Sequence, residues 1–171
     1  QYERAIEILK ALPPPSRDDR KIVLLGYCQE GISRLEEADR LASQALSLNS
    51  KNALALNLKG ILAYRSQKVD EATEYFQKAI VADGGYGEPY CNLGVIQWEA
   101  NRKEEALNLF EKGFTLSPTT GENAQLYHSA ITEKGEFLRA EGTFSESKAV
   151  HPFHKRIRFL LIDLLIKQKK Y

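Results

Sequence analysis

Glycine stands at 26, 60 and 94, alanine at 38, 72, 106 and 140, phenylalanine at 76, 110 and 144, and proline at 118 and 152, every series advancing by the same thirty-four places. Four residue types locked to one step describe a chain built of stacked copies of a single supersecondary unit. One layered core around a sheet would not repeat in this way. Within a copy the pattern Ala-x-x-x-Phe-x-x-Ala, as in Ala72, Phe76 and Ala79, returns to one face of a helix at steps of four and three. Small residues at Gly60, Gly94, Ala72 and Ala106 let two helix axes approach where a larger side chain would hold them apart. Asn and Gly near helix ends supply the left-handed conformation of a tight stop, and Asp83-Gly84-Gly85 and Ser117-Pro118 mark such stops.

The pattern resembles the tetratricopeptide repeat, in which a large residue, Leu-Gly and an aromatic occupy the first helix, and Ala, an aromatic and a small residue the second, with Pro in the turn. The copy with Tyr90, Leu93-Gly94, Ala106, Phe110, Gly113 and Pro118 fits best. Leu56, Gly60, Ala72, Phe76 and Ala79 carry the preceding copy. Ile22, Leu25-Gly26, Ala38 and Ala45 carry the one before it, and Gly135, Phe137, Ala140, Phe144, Ser147 and Pro152 the last. The resemblance implies an all-α, right-handed superhelical solenoid of antiparallel helix pairs. Four full repeats are expected at 19–52, 53–86, 87–120 and 121–154, with a second helix of a truncated repeat at 1–12 and a first helix at 155–171. Three departures stand out. Pro13-Pro14-Pro15 follows the first half repeat, and Ala5 lies one place short of a full step before Ala38, which predicts a stiff, irregular joint. His128 occupies the place held by Gly94 one copy earlier. The aromatic late in the first helix is replaced by Gln29, Ala63, Gln97 and Ile131, while Tyr64 and Trp98 stand one residue further on.

Composition narrows the function. With 24 basic and 23 acidic residues the net charge is +1, so nothing draws the chain as a whole to nucleic acid or an anionic membrane. No apolar run approaches the roughly 18 residues of a membrane span. Two cysteines, Cys28 and Cys91, are too few for a secreted disulfide framework, which favours a reducing, cytoplasmic setting. The chain begins with Gln and contains no Met, as expected of a piece of a longer protein.

Chemistry is hard to find. His151-x-x-His154 brackets Pro152 and lacks further ligands for zinc. Glu36-Glu37, Asp70-Glu71 and Glu104-Glu105 recur just before the repeat alanine, where negative charge complements a helix N-terminus. Gly84-Gly85-Tyr86-Gly87 follows a helix and does not fit a phosphate loop. No catalytic residue, metal or cofactor is expected. The expected function is a non-catalytic protein-interaction scaffold. The alternative is the repeat arm of a larger enzyme, such as a glycosyltransferase, methyltransferase or kinase.

The resemblance places the ligand on the concave face lined by first helices. Residues at steps of four and three there are Val23, Tyr27 and Glu30; Asn57, Ile61 and Tyr64; Cys91, Val95 and Trp98; and Gln125, Ser129 and Thr132. Leu24, Leu58, Asn92 and Leu126 adjoin them. Tyr27, Asn57, Leu58, Ile61, Tyr64, Cys91, Asn92, Val95 and Trp98 are therefore the candidate groove for a peptide or an adjoining domain. Asn57 and Asn92 would offer amides to a peptide backbone, and Tyr64 and Trp98 large rigid area. The competing reading is packing between neighbouring first helices. Some family members grip a C-terminal carboxylate with a clamp of Lys, Arg and Asn; the corresponding residues here are Val23, Tyr27, Leu58, Glu88 and Asn92, so that clamp is missing.

At the C-terminal end, Lys155, Arg156, Arg158, Lys167, Lys169 and Lys170 face one acid, Asp163, a pattern expected of solvated helix ends. The last helix reads as apolar nearly all round. Ile157, Leu160, Leu161 and Leu164 are accordingly expected to form a surface for head-to-tail self-association through the truncated ends.

Overall fold

The structure, a computed structural model, describes residues 1–11 and 18–168. The triple proline of the expected joint, together with Leu12, Lys169 and Lys170, lies outside the described residues. These residues form helices and turns, with no strand among them: α1 (Tyr2–Ala11), α2 (Asp19–Gly31), α3 (Leu35–Leu48), α4 (Ala53–Arg65), α5 (Val69–Ala82), α6 (Glu88–Glu99), α7 (Lys103–Leu116), α8 (Gly121–Lys134), α9 (Phe137–Val150) and α10 (Lys155–Gln168). They make two compact units, Gln1–Gly84 and Gly85–Tyr171.

In the first unit α2 pairs with α3 and α4 with α5. Both pairs close around a glycine. A Cβ on Gly60 would stand 2.4 Å from Cε1 of Phe76 on α5; one on Gly26 would stand 3.5 Å from Cβ of Leu41 on α3 and 2.7 Å from Cδ2 of Leu58 on the following helix, α4. The core beneath is small and aliphatic: Val23, Ala38, Ala42, Ala45, Ala55, Leu58 and Leu62. Caps fix where helices start. Asp18 accepts a hydrogen bond from the Lys21 amide and Asn52 one from the Ala55 amide, satisfying N–H groups that the first turn leaves open. Asp19 accepts from the side-chain amides of Asn49 and Asn52, and those bonds hold its carboxyl below the usual range.

The turn inside each pair has one recurring device. Ser33, Gln67, Asn101 and Gly135 are the described residues with positive φ, at 60°, 61°, 60° and 74°. They too are separated by the repeat step. The amide after each closes back onto a helix carbonyl, Arg34 to Gln29, Lys68 to Ala63, Arg102 to Gln97 and Glu136 to Ile131, the wide bond that ends a helix on a left-handed residue. Asn101 and Gly135 suit that conformation; Ser33 and Gln67 do not announce it.

The second unit is dominated by aromatic packing. Phe114 lies 4.5 Å from Phe144 and 5.7 Å from Tyr127, centroid to centroid, and all three are buried. Here α6 and α7 form a tight pair over Gly94, whose Cβ would stand 2.7 Å from Phe110. The next two helices do not repeat it: α8 and α9 meet at few points, and α9 packs chiefly on α10. His128 is the cause. It stands where the other pairs have glycine, meets Phe144 edge-on at 6.3 Å, and keeps the α9 axis away.

His128 is itself buried, with Nε2 2.8 Å from Asp163 Oδ2 on α10. Lys167 Nζ holds the same oxygen at 2.6 Å. Burial, reinforced by Lys167, lowers the His128 pKa, outweighing the pull of Asp163. The unfolded chain therefore takes up this proton more readily than the folded one. The stability that follows is present above about pH 6.5 and is lost as the pH falls through the lower folded value. The midpoint of thermal unfolding is expected to fall between pH 7.5 and 5.5, and His128→Gln should flatten that dependence. An equal slope in the variant would place the titrating group elsewhere.

One expectation is corrected by α10. Ile157, Leu160, Leu161 and Leu164 are not an association surface. Their relative exposures are 0, 3, 6 and 1 %, and they belong to the core of the second unit with Phe114, Tyr127 and Phe144. They fall on the helix face turned toward α8 and α9. The apolar residues left outside are Phe159, Ile162 and Ile166. His154 begins this helix, its Nδ1 accepting from the Ile157 amide at 3.4 Å.

Candidate functional site

The proposed groove residues separate into two groups by what they touch. In the first unit, Tyr27 on α2 donates its hydroxyl proton to the Leu54 carbonyl (3.0 Å) and accepts from Asn57 Nδ2 on α4 (2.9 Å). Asn57 and Leu58 are 1 and 0 % exposed. The Asn57 amide therefore ties α4 to α2 instead of facing a ligand, and Leu58 fills the space over Gly26. Consecutive first helices pack against each other along the very stripe that spacing marks as groove, so spacing alone misplaces these two. Ile61 and Tyr64 remain half-buried.

In the second unit Cys91 also turns inward. It is 2 % exposed and so close to Gly113 that a Cβ there would stand 2.4 Å from its Sγ. Burial, aided by Glu88 and Glu122, pushes its thiol up to about 12, so it is no nucleophile. Asn92 is half-buried on α6. Val95 and Trp98 do meet a cavity. Together with Phe110, Leu126 and Ala130 they wall an apolar depression of about 190 Å³ between α6 and α8, edged by Glu99, Ser129 and Glu133. Trp98 is braced from below by Phe110, ring centroids 6.1 Å apart. From α7, Lys103 places its ammonium 4.3 Å from the Trp98 centroid and pairs with Glu133 on α8. The pocket thus joins a rigid aromatic wall to a charged edge. The repeat carries the signal for that edge, because Glu99 and Glu133 are one full step apart.

A polar network behind the pocket is not legible in the sequence. Arg139 on α9 donates to Glu111 on α7 through Nε (3.0 Å) and Nη2 (2.7 Å), to Asn108 (2.6 Å), and to Glu104 and Glu136. Tyr127 on α8 and Thr143 on α9 donate to the same Glu111 carboxylate at 2.9 and 3.0 Å. Burial alone would raise the Glu111 carboxyl, but the hydrogen bonds it accepts from Arg139, Tyr127 and Thr143 outweigh it and hold it below the usual range. This network bridges helices that His128 keeps from closing tightly. Among the described residues no group of three or more His, Cys, Asp or Glu side chains is placed to hold a metal ion, and no helix is long and apolar enough to cross a membrane.

Tetratricopeptide repeat models match residues 30–87 and 87–120, together more than half of the chain. The chain belongs to the tetratricopeptide repeat family. It is 34% identical over 113 residues to human protein O-mannosyl-transferase TMTC3, an alignment taking in 64% of this chain and 12% of that protein. A TPR repeat-containing protein of Methanocaldococcus jannaschii is 26% identical over 90% of this chain and 27% of its own length. The rat mitochondrial import receptor subunit TOM70 is 29% identical over 53% of the chain and 15% of its own length. The chain thus spans about a quarter or less of these relatives. Among solved structures, a thermophilic TPR protein of Thermus thermophilus superposes with a TM-score of 0.71 at 13% identity, covering 96% of this chain and 91% of that one. YrrB, described as a TPR protein with an unusual peptide-binding site, gives 0.56 at 19% identity over 98% and 84%. At such identities these structures speak for the fold alone.

Proposed function

We propose that the chain is a protein-interaction scaffold whose second unit takes a peptide segment in the pocket of Trp98. The observation that carries this reading is a half-buried tryptophan, braced by Phe110, beside an apolar hollow between two helices. A large aromatic presented on a rigid helix face is the usual anchor of a binding hot spot. YrrB, with its peptide-binding site, supports the reading by likeness of fold, as does TOM70, a receptor subunit. The test is a peptide-display selection on the chain. Peptides it enriches are expected to bind the Trp98→Ala variant roughly 30-fold more weakly, the loss that follows from about 2 kcal/mol at a hot spot, and Trp98→Phe should restore part of it. Undiminished binding to Trp98→Ala, with circular dichroism unchanged, would place the ligand elsewhere.

A second reading is favoured by one observation, the 34% identity to part of an O-mannosyl-transferase. In that reading the repeats position a substrate or partner for a catalytic domain elsewhere in a longer protein. The full-length coding sequence decides it: an adjoining catalytic domain supports this reading, and its absence removes it.

A further inference from the structure

We infer that Ala130 sets the specificity of the Trp98 pocket, which takes a branched aliphatic side chain, leucine or isoleucine, from its ligand. This rests on the peptide reading above and names the residue class that the pocket accepts. Cys28, Leu62, Ile96, Ala130 and Leu164 are separated by the repeat step and are all buried. They mark one place in successive first helices. Leu62 fills it in the first unit, within the core that holds Ala38 and Ala42. Leu164 fills it on α10, within the core that holds Phe144, one repeat step after Phe110. On α8 the side chain at this place ends at Cβ.

The hollow is the consequence. Ala130 lines it together with Val95, Trp98, Phe110 and Leu126, and about 190 Å³ stays open. Helix α8 is held from closing the gap: the Tyr127 hydroxyl ties it to Glu111 on α7, and the Tyr127 ring packs on Phe114 and Phe144. Other repeats supply a leucine or isoleucine at this place, and a ligand supplies the same group from outside. A ring in that space would have to push Phe110 or Trp98 aside, and close-packed walls resist such overfilling. The edge adds no charge to the selection, because Glu133 is paired with Lys103 and Glu99 has an interaction of its own.

The experiment uses Trp98 fluorescence, which is specific because the chain has one tryptophan. Peptides enriched by the display selection are synthesised with their anchoring residue, located by alanine scanning, replaced in turn by Leu, Ile, Ala and Phe, and each is titrated. The Leu and Ile peptides are expected to bind alike and the Ala peptide about fifty-fold more weakly, the loss from three carbons no longer buried. The Phe peptide should bind about tenfold more weakly than the Leu peptide. Ala130→Ile, which restores the residue found at Ile96, should weaken the Leu peptide to about the level of the Ala peptide, with the thermal midpoint unchanged or raised, as for a filled cavity. Ala130→Ser, nearly equal in size, should keep binding within a few-fold. An aromatic or charged anchor, equal binding of the Leu and Phe peptides, or full affinity in Ala130→Ile overturns the inference. The anchor series needs no variant, so it decides even where Ala130→Ile fails to fold. If Trp98→Ala still weakens the peptides when the inference fails, the peptide reading stands without it; if Trp98→Ala leaves them unchanged, both fall.

Discussion

Replacing Leu164 by glutamate is expected to unfold the second unit. Leu164 is 1 % exposed and packs on α10 into the core shared with Tyr127, Phe144 and Ile157. Truncation of a buried leucine alone removes about 2–5 kcal/mol. A carboxylate there is left with no solvent and no partner, so the loss should exceed about 4 kcal/mol. Urea unfolding followed by Trp98 fluorescence, which reports on this unit, measures it. The matching control lies on the other face of the same helix. Ile162 and Phe159 are 55 and 68 % exposed, and glutamate at either should change stability by no more than about 0.5 kcal/mol. Equal effects on both faces would mean that α10 is not docked as described.

Gly60→Val is expected to destabilise the first unit by about 3 kcal/mol, the upper end of what overpacking a core costs. A Cβ at this position would stand 2.4, 2.6 and 2.9 Å from three atoms of the Phe76 ring, and that ring is 2 % exposed with no room to retreat. Replacing glycine in a helix interior ordinarily gains close to about 1 kcal/mol of helix propensity when the new residue is alanine; here steric overlap decides the sign. Combining Gly60→Val with Phe76→Leu should recover part of the loss, a favourable coupling of about 1–2 kcal/mol in a double-mutant cycle read by thermal unfolding. Strict additivity would show that the two helices do not approach as closely as described.

These two residues also mark how far the sequence could be read. The repeat step identified the helical pairs and the positions of closest approach, because close packing of two helices leaves only a few residue types acceptable at Gly60, Gly94 and Phe76. The same step predicted His128 as a departure, and the opening of α8 from α9 is its consequence. Where the sequence misled, it did so for one reason. Helical spacing says which residues share a face but not how deeply a neighbouring helix covers that face. Asn57, Leu58 and Cys91 share the stripe of Trp98, yet lie under adjacent helices. On α10 an apolar residue at nearly every place hid which of them the core would take. The left-handed turn residues at Ser33 and Gln67 carry no compositional mark. The Arg139 network joins residues far apart in sequence with no motif to connect them.

The central claim, that the hollow at Trp98 is where a ligand binds, is tested most directly by amide and indole chemical shifts of the isotopically labelled chain, recorded with a peptide from the display selection. The largest changes are expected at the Trp98 indole and at Val95, Leu126, Ser129 and Glu133, whose side chains surround one cavity. A bound peptide that leaves the Trp98 indole unmoved and perturbs exposed residues of α7 and α9, such as Lys112 and Glu146, would contradict the account.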